Sequence, residues 1–371
     1  MTKQFTSLGL MSGTSCDGVD ASIIQSDGLA QYSSIKDKYL KYDEDIKKNI
    51  HNLKEKINND QDLKKHGKEL KVLEKEITIF HARAVKNTLN GCGVNIDFIG
   101  FHGQTIYHNY KKKISIQLGD AHLLAKLTKK KVIFNFRKND LDNNGQGAPL
   151  TPIYHKLLAQ QHMIKLPVLI LNIGGISNFT LIGKKADKIK FQSADIGPGN
   201  CLIDKWVKKY SKKNYDENGA IAKSGKINKT ILDKATNNWQ NKVKNNYKKN
   251  ISFDVKDFDI SFVEGLSLED GAATLTEYTS QILSKYINKF NNDVNIVVCG
   301  GGRKNNFLLT KVSTKIKRRL QLIDIFKIDG DFVESSAFAY IAIRSYLNLP
   351  ISFPETTGCT QPCTGGVIVE Y

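Results

Sequence analysis

Twice in this chain an apolar strand runs into a glycine turn and returns as a second strand. The first turn is Ser12-Gly13-Thr14-Ser15-Cys16-Asp17-Gly18; the second, about 160 residues later, is centred on Gly174-Gly175. Thr6 to Met11 and Val19 to Gln25 flank the first turn, and Val168 to Ile173 and Ser177 to Ile182 flank the second. This recurrence predicts two related halves, each offering a turn to a shared cleft. Elsewhere apolar runs alternate with helical patterns, so an α/β protein is expected. A third strand is predicted near Ser33 to Tyr42, then two helices rich in lysine and glutamate up to Asn90. Short buried strands are predicted at Phe98 to Gly100, Ile114 to Leu118 and Val132 to Phe136. The stripe Leu275, Tyr278, Ile282, Tyr286 and Phe290 reads as the core face of a helix.

A length of 371 residues fits two domains. With 55 basic against 37 acidic side chains the net charge is +18, which raises nucleic acid as a partner. The lysine excess lies mainly in Lys36 to Lys75 and Lys205 to Lys256, where acidic residues or helical spacing intervene and stacking aromatics are sparse. A solvated surface, with no nucleic-acid partner, is therefore expected. Apolar runs such as Leu166 to Ile176 are broken by Asn172 and glycines well before the ~20 residues of a spanning helix, so no membrane partner is expected. Met1 to Met11 leads into the first glycine turn without a cleavage site, and the mature chain is expected to start where its gene does. Six cysteines form no CxxC pair and read as reduced thiols of a cytoplasmic protein without zinc.

Four constellations carry the chemistry. In Gly13-Thr14-Ser15-Cys16-Asp17-Gly18-Val19-Asp20, exposed amides and the hydroxyls of Thr14 and Ser15 suit phosphate oxygens, and Asp17 suits Mg²⁺ directly or through water. No Gly-Lys-Ser/Thr follows, so this is not a Walker loop. Asn172-Ile173-Gly174-Gly175-Ile176-Ser177-Asn178 repeats the pattern. Gly300-Gly301-Gly302, after the strand Asn295 to Val298, leaves bare backbone against which an adenine or ribose can lie. The fourth is Asp195 before Gly197-Pro198-Gly199-Asn200, a carboxylate at a strand end that suits a general base acting on water or a hydroxyl. His102 and Gln104 follow a buried strand, and Arg137 and Asp140 precede Gly145-Gln146-Gly147-Ala148-Pro149-Leu150; such mixed donors and acceptors suit a hydroxyl-rich ligand.

Taken in order, Gly13 to Asp20, Gly100 to Thr105, Gln117 to Asp120, Phe136-Arg137 with Gly145 to Leu150, Asn172 to Asn178, Asp195 with Gly197 to Asn200, and Gly300 to Gly302 resemble the anhydro-N-acetylmuramic acid kinase family, from residue 7 to about 345. The resemblance implies two actin-like (ribonuclease H-like) ATPase domains with an ATP cleft between them, the first spanning 1–165 plus 346–371 and the second 166–345. It implies ATP and Mg²⁺ as cofactors, an amino sugar as substrate and a homodimer. The implied reaction opens the 1,6-anhydro ring with water and transfers the γ-phosphoryl group to O6, giving N-acetylmuramic acid 6-phosphate and ADP in peptidoglycan recycling. Asp195 falls on the family's catalytic aspartate. Gly13 to Asp20, Gly174, Gly175 and Gly300 to Gly302 would face the nucleotide. His102, Gln104, Arg137, Asp140, Asn178 and Glu334 are candidate sugar contacts.

The chain departs from the family pattern in three places. Asn135 and Asn144 stand where Asp and Gly are usual, and 247–254 replaces a Pro-Lys-Ser-Thr-Gly-Arg-like stretch ahead of Leu266-Ser267-Leu268-Glu269-Asp270. This last departure keeps open a kinase for another amino sugar on the same fold, and the charge keeps a basic nucleic-acid-binding protein as a remote alternative.

Overall fold

The computed structural model describes residues 3–13, 15–185, 188–244 and 252–371. The chain divides into two compact units, Met1–Gln161 with Phe332–Tyr371, and His162–Asp331.

In the first unit the strands are β1 (Phe5–Ser12), β2 (Gly18–Ser26), β3 (Tyr32–Lys41), β4 (Phe98–Asn109), β5 (Ile114–Leu118) and β6 (Lys131–Phe134), with β12 (Val367–Val369) added from the carboxyl end. The sheet order is β12-β6-β4-β1-β2-β3, and β5 pairs with β4. β1, β2 and β3 form an antiparallel meander, while β1, β4 and β6 run parallel. Successive residues of a strand face opposite sides of its sheet. Leu8 and Leu10 accordingly join a core with Ile77 and Phe80 of the helix Gly67–Leu89. Gly9 faces the other way, against the helix Val333–Tyr346; a Cβ at Gly9 would stand 2.0 Å from the Ser335 carbonyl, and one at Gly100 2.3 Å from that of Phe338. Two glycines on adjacent strands thus let the helix lie directly on the sheet.

That helix corrects the expected boundary. The second domain was expected to run to residue 345, but 333–346 packs on β1 and β4 and belongs with the first unit. The lysine-rich stretch before Asn90 forms three helices, Glu44–Lys56, Asp60–Lys65 and Gly67–Leu89, because Asn59 caps a new start by accepting the amides of Gln61 and Asp62.

In the second unit β7 (Val168–Ile173), β8 (Ile176–Lys185), β9 (Lys188–Pro198), β10 (Asn295–Cys299) and β11 (Leu320–Leu322) form a sheet ordered β11-β10-β7-β8-β9. Again there is an antiparallel meander, β7-β8-β9, and a parallel set, β7, β10 and β11. The two sheets share one strand order over five strands. The helix Leu268–Ile287, capped by the Ser267 side chain on the Asp270 amide, buries Leu275, Tyr278 and Ile282 as its stripe predicts. Trp206, fully buried, donates its indole N–H to the Leu268 carbonyl at 2.9 Å. Among the described residues no helix is long and apolar enough to cross a membrane.

Candidate active site

In both units the motif residues gather at the carboxyl ends of the parallel strands, the end at which open α/β sheets bind ligands. In the first unit Gly13 follows β1, His102 and Gln104 lie on β4 beside the last residues of β1 and beyond the end of β6, and Arg137 follows β6. The β1–β2 turn is braced from three sides. The Gly13 carbonyl accepts the Cys16 amide at 3.2 Å and the buried Gln104 Nε2 at 3.1 Å. The Asp17 carbonyl accepts the Tyr42 amide at 2.9 Å and the Tyr39 hydroxyl at 3.0 Å. The Ser12 hydroxyl donates to the Gly18 carbonyl at 2.8 Å and meets Tyr42 Oη at 2.6 Å.

Ser15 is exposed at the tip, and Asp20 lies on β2 opposite Met11 and Tyr39. Thr14, expected at the phosphates, lies outside the described residues. Cys16 and Val19 do not present side chains at the surface: both are fully buried in the first unit's core, and the Cys16 amide is taken by the Gly13 carbonyl. The Asp17 carboxylate is held by Lys47 Nζ at 2.6 Å. That contact occupies Oδ1, and the second carboxylate oxygen is the one left to face a metal ion or its water.

His102 and Arg137 come together as their sequence context suggests. Arg137 Nη2 donates to His102 Nε2 at 2.8 Å and Nη1 donates to the Gly147 carbonyl at 2.6 Å. His102 Nδ1 donates to the Gly103 carbonyl at 2.8 Å, and its ring packs at a tilt against Phe338, centroids 4.5 Å apart. Burial, reinforced by the Arg137 charge, holds the imidazole pKa well below its usual value, so the ring is neutral. Glu334 stands in the first turn of the helix that presents Phe338.

Asp140 has a different task from the sugar contact expected of it. It is buried, and its Oδ2 accepts the Gly147 amide at 2.6 Å while Oδ1 accepts the Thr357 hydroxyl at 2.5 Å. Both oxygens are spent on shaping the 145–147 loop, so the correction is from ligand contact to loop scaffold. Asn135 and Asn144 adopt φ of 57° and 65°, the left-handed region that asparagine tolerates better than most residues. Backbone geometry therefore permits asparagine at both departures, but nothing in it selects asparagine over the usual Asp or Gly.

In the second unit the β7–β8 turn interlocks with the loop after β9. The Gly174 carbonyl accepts the Asn200 amide at 2.8 Å and the Gly175 carbonyl accepts the Gly199 amide at 2.9 Å. A Cβ at Gly199 would stand 2.2 Å from the Gly174 carbonyl oxygen, which explains why this position has no side chain. Across the ladder Asn178 pairs with Asp195, so the expected base and a candidate sugar contact are neighbours. Gly300 adopts φ +78° and packs on Asn172 and Ile173, beside the β7 turn.

Two supports had no sequence signal, because each joins residues far apart in the chain. Asp195 Oδ2 accepts the amide of Phe253 at 2.8 Å. Arg303, almost wholly buried, donates to Asp324 at 2.9 and 3.1 Å, to Asp329 at 3.3 Å, to Asp331 at 2.5 Å and to the Gly300 carbonyl at 3.3 Å. The triple-glycine loop is thus tied down through the residue that follows it.

The sequence profile of anhydro-N-acetylmuramic acid kinase matches residues 5–371. A protein of that name from Pelagibacter ubique is 50% identical, covering 100% of both chains. Namesakes from Zymomonas mobilis and Brucella canis are 38% and 36% identical, covering 97% and 98% of this chain and 98% of each relative. The match extends past residue 345 to the carboxyl end, taking in the Thr357 that supports Asp140. With glycine turns at the ends of both parallel strand sets and similarity of this extent, the chain belongs to the anhydro-N-acetylmuramic acid kinase family.

Proposed function

We propose that this enzyme hydrolyses the 1,6-anhydro ring of anhydro-N-acetylmuramic acid and phosphorylates O6 from ATP, yielding N-acetylmuramic acid 6-phosphate and ADP in peptidoglycan recycling. The observation that carries this reading is the full-length family match together with Asp195, held at the end of β9 beside Asn178. The two units are read as actin-like, ribonuclease H-like ATPase domains. Their common strand order and paired glycine turns support that assignment.

Asp195 takes a proton from water, whose oxygen attacks C1. The C1–O6 bond breaks, and O6 accepts the γ-phosphoryl group as ADP leaves. Phosphoryl transfer depends mainly on positioning and charge neutralisation. The turn that begins at Gly13 and the turn at Gly174-Gly175 face the phosphates, and Gly300 to Gly302 offer a bare surface to the nucleoside. Asn178, Gln104 and Glu334 contact the sugar. The His102–Arg137 pair presents a neutral imidazole joined to a guanidinium suited to the lactyl carboxylate.

Mg²⁺ supplies charge neutralisation on the phosphates when bound. In kinases it is commonly held by one or two carboxylates and the phosphates themselves. Asp17 is the right donor type: Lys47 pairs with its Oδ1, and Oδ2 would hold the ion directly or through water. The enzyme works in the cytoplasm as a homodimer, in keeping with its buried thiols at Cys16, Cys299, Cys359 and Cys363 and with the family resemblance. ADP release measured over a panel of amino sugars tests the substrate: turnover of the anhydro sugar is expected, and turnover confined to non-anhydro sugars would reject it.

A further inference from the structure

We infer that Phe253 is a positioning residue for Asp195: its ring, packed with Trp239 and Phe258, fixes the backbone amide that orients the carboxylate. The inference rests on the reading of Asp195 as the base. It concerns the segment in which this chain departs most from the family pattern.

The three rings close a triangle. Phe253 lies 5.4 Å from Trp239 and 5.6 Å from Phe258, and Trp239 lies 5.4 Å from Phe258, all tilted at angles between 34° and 54°. Trp239 and Phe258 are each only 6% exposed, so the triangle is anchored in the second unit's core. The indole also touches the strand that carries the base: a Cβ at Gly197, two residues beyond Asp195, would stand 3.2 Å from Trp239 Cζ2. One aromatic body therefore bears on both sides of the 2.8 Å hydrogen bond between the Phe253 amide and Asp195 Oδ2.

The chain beyond Phe253 is stiffened as well. The Asp254 side chain accepts the Lys256 amide at 3.0 Å, and the Asp257 side chain accepts the Asp254 amide at 2.8 Å. This reciprocal cap fixes the turn 255–257 and delivers Phe258 to the triangle. A donor on one carboxylate oxygen restricts rotation of the whole group, and a reacting group must be held to about 0.5 Å of its productive geometry. The ring thus acts through the amide and not by touching substrate.

Steady-state kinetics of the full chain with ATP and anhydro-N-acetylmuramic acid test this, comparing Phe253→Ala, Phe253→Tyr and Asp195→Asn. Misplacement by about 1 Å costs on the order of 100-fold, so Phe253→Ala is expected to lower kcat by about 10- to 100-fold. The KM for ATP should stay within about twofold, because the nucleotide loops do not involve this ring. Phe253→Tyr, which keeps the aromatic packing, should restore most of kcat. An unchanged kcat in Phe253→Ala, or a raised KM alone, overturns the inference. Should Phe253→Ala not fold, Phe253→Leu carries the test, since it fills the space without ring packing; native kcat there overturns the inference equally. Full turnover by Asp195→Asn would instead remove the base reading itself, so the two failures are told apart.

Discussion

Arg137 donates to Nε2 of His102 while the same ring donates from Nδ1 to the Gly103 carbonyl, and these two bonds fix the tautomer as well as the charge. Burial likewise lowers His81 and His155 to about 4. A histidine whose folded pKa lies below its unfolded value stabilises the fold fully above the unfolded value, near 6.5, and that stability is lost as pH falls toward the folded one. His81 and His155 should each remove about 2 kcal/mol between pH 7 and pH 5. Urea unfolding at both pH values measures this, and equal stability at the two would contradict it.

Arg303 is surrounded by Asp324, Asp329 and Asp331 and bonds the Gly300 carbonyl. Removing it with Arg303→Ala leaves three carboxylates facing one another. Because those carboxylates are partly exposed, the expected loss is about 2 to 3 kcal/mol, below the value for a wholly buried pair. The freed Gly300 loop should also raise the KM for ATP. Arg303→Lys keeps the charge but not the planar fork, so it should recover only part of both. Native stability in Arg303→Ala would refute the anchoring role.

Gly300 and Gly301 separate structure from binding. A Cβ at Gly300 would meet Asn172 Oδ1 at 2.2 Å and requires a positive φ, whereas one at Gly301 would meet nothing within 4 Å. Gly300→Ala should therefore destabilise the fold, by about 1 kcal/mol or more from backbone strain alone. Gly301→Ala should melt like the native protein yet bind ATP more weakly, because the added methyl stands on the surface assigned to the nucleoside. Unaltered ATP affinity in Gly301→Ala, measured by calorimetry, would remove that surface from the nucleotide site.

Asp140 bonds the Gly147 amide and the Thr357 hydroxyl from a buried position. Asp140→Ala strips the loop of both bonds and should cost about 3 kcal/mol. Since Arg137 also donates to the Gly147 carbonyl, the sugar KM should rise with it. Asp140→Asn keeps one acceptor and should fall between the two. Native stability in Asp140→Ala would contradict the scaffold role.

Much of this was readable from the chain. The glycine turns, both hairpins and the stripe of the helix 268–287 each rest on local chemistry, and Ile114–Leu118 has the expected bounds. Other elements were longer or absent from the reading. β4 runs from Phe98 to Asn109 because Gly103 takes φ +74° and lets the strand continue through polar residues. β9 ends in the strand expected before Gly197-Pro198-Gly199 and begins at Lys188 with the alternation Lys188-Ile189-Lys190-Phe191, while β11 and β12 have three residues each, too few to display a period. At the site, residue types on the glycine loops were legible, but the Lys47 pairing of Asp17, the carboxylates around Arg303 and the Phe253 amide on Asp195 were not. Each joins segments separated by 20 or more positions, and pairing at that range is set by tertiary packing.

In the proposed reaction one turnover both opens the ring and phosphorylates the oxygen it releases. Mass spectrometry of the product formed in ¹⁸O-labelled water tests it most directly. The coupled reaction predicts one solvent oxygen at C1, with phosphate on O6. Phosphorylated sugar without solvent oxygen at C1, or label in the phosphate instead, would contradict it.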